Sequence, residues 1–244
     1  MARLQLKSDA RAAMSQANPH PVLVTLVYLV LLFALQMLVS MISGFSSLFP
    51  ALSSDPESAE LIAMGMSIPL LLISIISSFV QTFLQMGYTG YTLRVINRQE
   101  SGISDLFAYA RYFLKVWALY FVMGLFTILW SLLFLIPGIV AGYRYCLAPY
   151  LMAENPDRGI MECINESKAM MNGHKMERFI LDLSFIPWYL LVAVTCGIAS
   201  VYVSPYTEIT GAAFFNSIRY NTYGQQGGYY QQPGGFQQDG YYQQ

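Results

Sequence analysis

Apolar residues fall in long blocks along this chain, and short polar segments separate the blocks. The first block, residues 22–42, contains no charged residue and is long enough, as an α-helix, to cross the hydrocarbon core of a bilayer. The same pattern predicts six transmembrane helices in all, at residues 22–42, 61–86, 116–136, 139–153, 179–198 and 204–218. The predicted fold class is therefore an all-α polytopic membrane protein.

The polar segments between the blocks indicate the orientation of the helices. Residues 43–60 contain three acidic residues and no Lys or Arg, which is typical of an external loop, whereas basic residues cluster in 94–115 and 158–178. Because Lys and Arg concentrate in cytoplasmic loops, we predict a multi-pass protein of the cell membrane with both termini in the cytoplasm. Residues 22–219 form the predicted membrane domain.

Three segments have the pattern of amphipathic helices that lie at a membrane surface. They are the N-terminal segment 1–21, a short helix near residue 105, and residues 160–172, which end at Asn172-Gly173. The last segment of the chain, 220–244, consists mostly of Gly, Gln and Tyr. Such a composition cannot bury a core, so this tail is predicted to be disordered.

The dipeptide Pro137-Gly138 interrupts the apolar sequence, and two interpretations of it remain open. The chain either continues as one long kinked helix or reverses in an external hairpin. We favour the hairpin, because the basic segment that follows must return to the cytoplasmic side. A loosely similar sequence, Thr195-Cys196-Gly197-Ile198, also ends an apolar helix. Paired broken helices are typical of binding sites in transporters.

Composition narrows the possible functions. Charged residues make up 11% of the chain and hydrophobic residues 55%, which excludes an ordinary soluble domain. The net charge is −1 and the thirteen Lys and Arg residues are spread over several segments without one clustered basic face, so we expect no nucleic-acid partner. The three cysteines, Cys146, Cys163 and Cys196, lack the spacing of a zinc site or a disulfide framework. We expect no metal and no cofactor.

Charged residues within the predicted helices are the first candidates for function, because an unpaired charge in lipid costs several kcal/mol. Arg144 and Glu208 have similar predicted depths, and we expect an ion pair between them. The alternative is that Arg144 extends to the outer headgroups. Asp182 is expected to pair with Lys175 or Arg178 close to the inner surface.

A polar stripe on the second predicted helix supplies the other candidates. Its members recur at helical spacing and share one face of the helix: Ser67, Ser74, Ser78, Gln81 and Gln85. A stripe of this kind either joins helices or lines a path for a substrate.

No catalytic residue can be assigned from motifs. The sequence has no GxSxG, Walker, GxGxxG or HExxH pattern, and His20 and His174 are expected at the surface. An enzyme would require a cluster such as Glu154, Asp182 and His174 at one headgroup level.

Several ordered motifs resemble one family. RVINRQESGISDLF, LWSLLFLIPGIVAGYRYCLAPYLMAENP, ESKAMMNGHK and LDLSFIPW are similar to segments of the bacterial integral-membrane family catalogued as domain-of-unknown-function family 975. The resemblance implies a multi-spanning protein and no particular activity. The motif positions in this chain are Pro137, Gly138, Pro149, Tyr150, Glu154, Asn155, Pro156, Gly173, His174 and Lys175.

Three functions of different class are consistent with these patterns. We favour a non-enzymatic structural or accessory protein that works with the lipid bilayer and other membrane proteins. The alternatives are a transporter component with a site between broken helices, and a membrane enzyme that acts on lipid or peptide. The sequence leaves the oligomeric state open.

Overall fold

The structure, a computed structural model, describes residues 3–52 and 55–223. Within these ranges the chain is almost entirely helical and has no strand, which confirms the predicted all-α class. The α-helices, in chain order, are α1 (Arg3–Gln16), α2 (Pro21–Leu52), α3 (Pro56–Ile96), α4 (Phe113–Leu133), α5 (Leu135–Tyr145), α6 (Ala148–Glu154), α7 (Ile160–Met170), α8 (Lys175–Leu183), α9 (Ile186–Val194) and α10 (Ser200–Tyr223). Two 3₁₀ turns, Ile103–Phe107 and Ala110–Tyr112, precede α4.

Three helical segments are long and apolar enough to cross a membrane. They are Pro21–Leu48, Pro56–Ile96 and Ile103–Leu132. Their apolar side chains are mostly exposed, as expected of surfaces that face lipid tails. The protein is therefore an all-α membrane protein. Helices α2 and α3 extend beyond the predicted ranges 22–42 and 61–86, because α2 continues to Leu52 and α3 begins at Pro56, where Asp55 caps its first turn.

The three long helices run antiparallel to their neighbours. Tyr28 on α2 donates a hydrogen bond to Gln85 on α3 (2.5 Å), and Thr25, one turn earlier, bonds Tyr88 one turn later (2.8 Å). The rings of Tyr28 and Tyr88 stack with centroids 4.5 Å apart. On the other side of α3, Trp117 of α4 stacks on Phe79. These contacts fix the order α2, α3, α4 along this part of the bundle.

The buried core lies at one end of the bundle. We call it the packed end; it comprises the first turns of α2, residues 84–96 of α3, α6 and most of α10. Helix α1 closes it by burying Leu6, Ala10 and Met14 against α10 and α3. With 41 residues at 1.5 Å each, α3 is about 60 Å long, twice the thickness of a bilayer core. Its C-terminal third is therefore free to form this core.

The break near Pro137-Gly138 is a hairpin. Helix α4 ends and α5 begins at Phe134, whose backbone is extended, so the break precedes the dipeptide by three residues. Pro137 lies in the first turn of α5, where the missing N–H costs no hydrogen bond. Gly138 packs against Ser131 of α4, and a Cβ at residue 138 would lie 2.8 Å from the Ser131 Cα. The glycine therefore permits the close approach of the two helices.

Two of the predicted helices are divided in the structure. The segment 139–153 is interrupted at Cys146-Leu147, between α5 and α6, and the segment 179–198 is interrupted at Ser184-Phe185, between α8 and α9. Ser167 of α7 bridges the first interruption: its hydroxyl donates to the Arg144 carbonyl (2.8 Å) and accepts from the Leu147 N–H (3.2 Å). One buried side chain thus satisfies both backbone groups that the interruption leaves unpaired.

The remaining predictions concern surface segments. Helix α7 follows the predicted segment 160–172, with Cys163 and Ile164 buried, and Gly173 has a positive φ of 87° after it. The expected helix near residue 105 is instead a pair of 3₁₀ turns. Of the predicted tail, residues 220–223 complete α10, and residues 224–244 lie outside the described part of the chain.

Candidate functional site

A cluster of charged and phenolic side chains forms where α6, α8 and α10 meet. Arg178 on α8 binds Asp182 one turn later, with 3.2 Å between Nε and Oδ1. The Arg178 guanidinium also lies 5.6 Å from the centre of the Phe214 ring on α10. The expected partner of Asp182 was Lys175 or Arg178, and the structure selects Arg178.

Gly211 of α10 allows this cluster to close. A Cβ on Gly211 would lie 2.7 Å from the Tyr150 hydroxyl and 3.2 Å from a guanidinium nitrogen of Arg178. The phenol of α6 and the guanidinium of α8 therefore converge over a bare stretch of α10 backbone. Tyr150 is buried and stacks on Phe215 of α10, with ring centroids 5.4 Å apart.

Glu208, one turn before Gly211, belongs to this cluster and not to an ion pair with Arg144. The charges that act on its carboxylate are the attractive Arg178 and the repulsive Asp182. Among the described residues no ion pair joins Arg144 to Glu208, so the expected pair is not formed. The reason is which helices are neighbours: α5 packs against α4, α7 and α8, whereas Glu208 lies on α10. The similar depth predicted for the two side chains was therefore not enough to predict a contact between them.

The predicted polar stripe is divided between two environments. Two members contact neighbouring helices: Gln85 accepts a hydrogen bond from Tyr28 of α2, and Ser78 accepts one from the Trp117 indole of α4 at 3.4 Å. Farther along α3, Ser67 and Ser74 are exposed and donate only to backbone carbonyls of their own helix. Gln81, also exposed, donates to the neighbouring Ser77 at 3.1 Å.

The motif from Pro149 to Pro156 places its residues in different structural roles. Glu154 forms an ion pair with Arg219 near the end of α10. Asn155 accepts a hydrogen bond from the Asp157 N–H (3.1 Å), which shapes the turn after α6. The Pro156 carbonyl accepts from the Lys115 ammonium at 2.7 Å. Together these contacts attach the α6–α7 turn to α4 and α10.

The second motif, Gly173-His174-Lys175, begins α8. His174 precedes the first helical residue, Lys175, and its Nδ1 lies 3.1 Å from a Glu177 carboxylate oxygen. Glu154, Asp182 and His174 thus each contact a different partner, namely Arg219, Arg178 and Glu177. The acid–base cluster that would indicate an enzyme is not assembled among these three residues.

Sequence reasoning missed the two residues at the centre of the cluster. Arg178 was considered only as a partner of Asp182, and Gly211 was not singled out. The available signal was the small-residue sequence Gly211-Ala212-Ala213, which marks a helix face that other backbones or side chains approach closely. All three residues of this sequence are buried.

Two surface hollows in the described part of the chain lie away from this cluster. One is at the start of α4, beside Arg111, Lys115 and Ile160, and the other is between the end of α1 and residues 95–100. Both open at the surface of the protein.

Comparison with known proteins identifies one family. Residues 1–141 and 132–222 match the family described as "Protein of unknown function (DUF975)". The two matches overlap at the α4–α5 hairpin and together include every element of the bundle. No curated protein and no solved structure matches the chain.

Proposed function

The chain belongs to the DUF975 family, and from its geometry we propose that it is a non-enzymatic structural or accessory protein of a bacterial cell membrane. The observation that carries this proposal is the dispersal of the reactive side chains. Glu154, Asp182 and His174 each have a separate charged partner, which favours structural roles for them. An enzyme would need such groups directed at one substrate position.

The environment of α3 favours contacts with other membrane proteins over transport. Only 6% of the most apolar window of this helix is buried. Ser67, Ser74 and Gln81 lie on its exposed surface. Polar side chains that face hydrocarbon gain free energy when a second helix offers them hydrogen-bond partners. We therefore assign the stripe as the contact surface for a transmembrane helix of another protein.

We also propose six crossings with both termini in the cytoplasm. The antiparallel order of α2, α3 and α4 supports the first three crossings. The α4–α5 hairpin and the packing of Phe185 and Trp188 on Tyr206 support two further reversals of the chain. The remaining reversal, between α6 and α8, rests on the basic residues of 158–178. In a chain with Cys146, Cys163 and Cys196 replaced by Ser, a thiol reagent that cannot cross the membrane should label an Asn172→Cys variant only after the cells are opened. Labelling of intact cells would contradict this topology.

Site-specific photo-crosslinking in native membranes tests the accessory function. A benzophenone amino acid replaces Ser74 on the stripe, and a matched variant carries it at Ile76, which is 63% exposed on the opposite side of the helix. We expect a discrete protein adduct at residue 74 and only lipid adducts at residue 76. Equal adducts at both residues, or no protein adduct at residue 74, would contradict the proposal.

A second measurement distinguishes the accessory function from the transporter alternative. In a chain with Cys146, Cys163 and Cys196 replaced by Ser, a Ser74→Cys variant is treated with a charged, water-soluble thiosulfonate reagent. A helix contact in lipid should keep residue 74 unlabelled, whereas a substrate path filled with water would allow rapid labelling. An Asp55→Cys variant, at the exposed residue that precedes the first turn of α3, is the positive control.

A further inference from the structure

A shallow groove lies at the surface where α4 begins, and its lining combines cations with apolar side chains. Arg111 and Lys115 contribute the positive charge, and Leu114, Ala118 and Ile160 contribute the apolar floor. Its volume is about 380 Å³, which falls within the range of small-ligand sites. The groove is open on one side, toward the exposed flank of α4.

The two cations of the groove lack the ion-pair partners that several other basic residues have. Arg94, Arg158 and Arg178 are bound to Asp105, Glu166 and Asp182, respectively. In the described part of the chain, neither Arg111 nor Lys115 has an ion-pair partner. Their charge is therefore available to an external anion.

Local contacts orient these cations but leave most of their donors unused. Arg111 donates one hydrogen bond to the Tyr112 hydroxyl (2.6 Å), which in turn donates to Asp157 (3.0 Å). Lys115 donates one of its three N–H groups to the Pro156 carbonyl. The carboxylate of Asp157 accepts the hydrogen bond from the Tyr112 hydroxyl and lies close to the two cations, so it offsets one of their two positive charges. A net positive charge with several free N–H donors remains.

The apolar floor continues along α4 in the direction of the hydrocarbon core. Leu114, Ala118, Val122 and Leu125 follow one another at spacings of four, four and three residues, which places them on one helix face. Leu114 is 61% exposed and Leu125 is 52% exposed. Ala118 lies between them, and its small side chain leaves room on this face for an alkyl chain.

We propose that this groove binds one anionic phospholipid. Arg111 and Lys115 hold its phosphate, and one acyl chain lies along Leu114, Ala118 and Leu125. The charge selects an anionic headgroup, and the continuous apolar strip requires a lipid tail. Basic residues at the cytoplasmic surface of a membrane protein commonly have this role.

Native mass spectrometry of the full-length protein in detergent tests the site. The protein is titrated separately with dioleoyl phosphatidylglycerol and dioleoyl phosphatidylcholine, and the bound fraction is measured for each. We expect the wild type to prefer phosphatidylglycerol, and the Arg111→Gln/Lys115→Gln variant to bind it about tenfold more weakly. A charge-matched control, Arg98→Gln/Lys175→Gln, should bind as the wild type does.

Two further variants separate lost recognition from lost folding. Arg111→Lys/Lys115→Arg keeps both charges and should restore the preference for phosphatidylglycerol. Ala118→Leu fills the room for the alkyl chain and should weaken lipid binding, while glycerol 3-phosphate without a tail should fail to displace the lipid. The proposal is overturned by equal binding of the two lipids, by an equal loss in the control variant, or by displacement with glycerol 3-phosphate.

Discussion

Replacing Gly87 by alanine should test how closely α3 packs against the first 3₁₀ turn. A Cβ at residue 87 would lie 2.5 Å from the Leu106 carbonyl carbon and 2.7 Å from its Cα. Carbon atoms normally remain about 3.5–4.0 Å apart. Since the obstructing atoms are backbone, no rotation of a side chain can relieve the overlap.

The surrounding contacts allow the size of the effect to be worked out. The turn that contains Leu106 is held on α3 by an ion pair between Arg94 and Asp105, with 2.5 Å between nitrogen and oxygen. Leu106 itself is fully buried. Relieving the overlap therefore requires the turn to move by about 1 Å, which places the cost near the upper part of the usual overpacking range, about 2–3 kcal/mol.

A matched alanine removes the contribution of helix propensity from the comparison. Gly124 lies inside α4, and a Cβ there would meet nothing within 4 Å. Both substitutions gain about 1 kcal/mol of helix propensity, so the difference between the two variants reports the overlap alone. Equilibrium unfolding in mixed detergent micelles, followed by tryptophan fluorescence, measures both free energies of unfolding. If Gly87→Ala were as stable as Gly124→Ala within about 0.5 kcal/mol, the close packing of α3 on this turn would be refuted.

Two further predictions concern α7. Ser167→Ala should lower the free energy of unfolding by about 2 kcal/mol, because it leaves two buried backbone groups between α5 and α6 without a partner. The control is Ser200→Ala, which removes an exposed hydroxyl. Equal free energies of unfolding for the two variants would contradict the bridging role of Ser167. Burial raises the pKa of the Cys163 thiol, although the charge of Arg158 opposes this shift, so alkylation of Cys163 should keep accelerating above the usual thiol pKa of about 8.5. Exposed Cys196 should react at once in detergent, and equal rates for the two cysteines would contradict the buried position of Cys163.

The sequence by itself determined the features that depend on short stretches of chain. Long apolar blocks predicted an all-α membrane protein because lipid requires every backbone group to bond within its own helix. The glycine that ends α7 and the pairing of Arg178 with Asp182 also follow from local spacing. The hairpin was predicted from charge, because the basic segment that follows it was expected to return to the cytoplasmic side of the membrane.

Only the tertiary structure decided which side chains meet across helices. Similar depths were predicted for Arg144 and Glu208, but α5 packs against α4, α7 and α8, whereas Glu208 lies on α10. The sequence predicted only residues 61–86 of α3, and the burial of the last third of this helix depends on α1, α6 and α10 closing around it. The chain reverses at Phe134 because Pro137 is tolerated in a first helical turn and Gly138 lets α5 approach Ser131. Depth and hydropathy are properties of one segment, whereas contacts depend on the rotation and spacing of two.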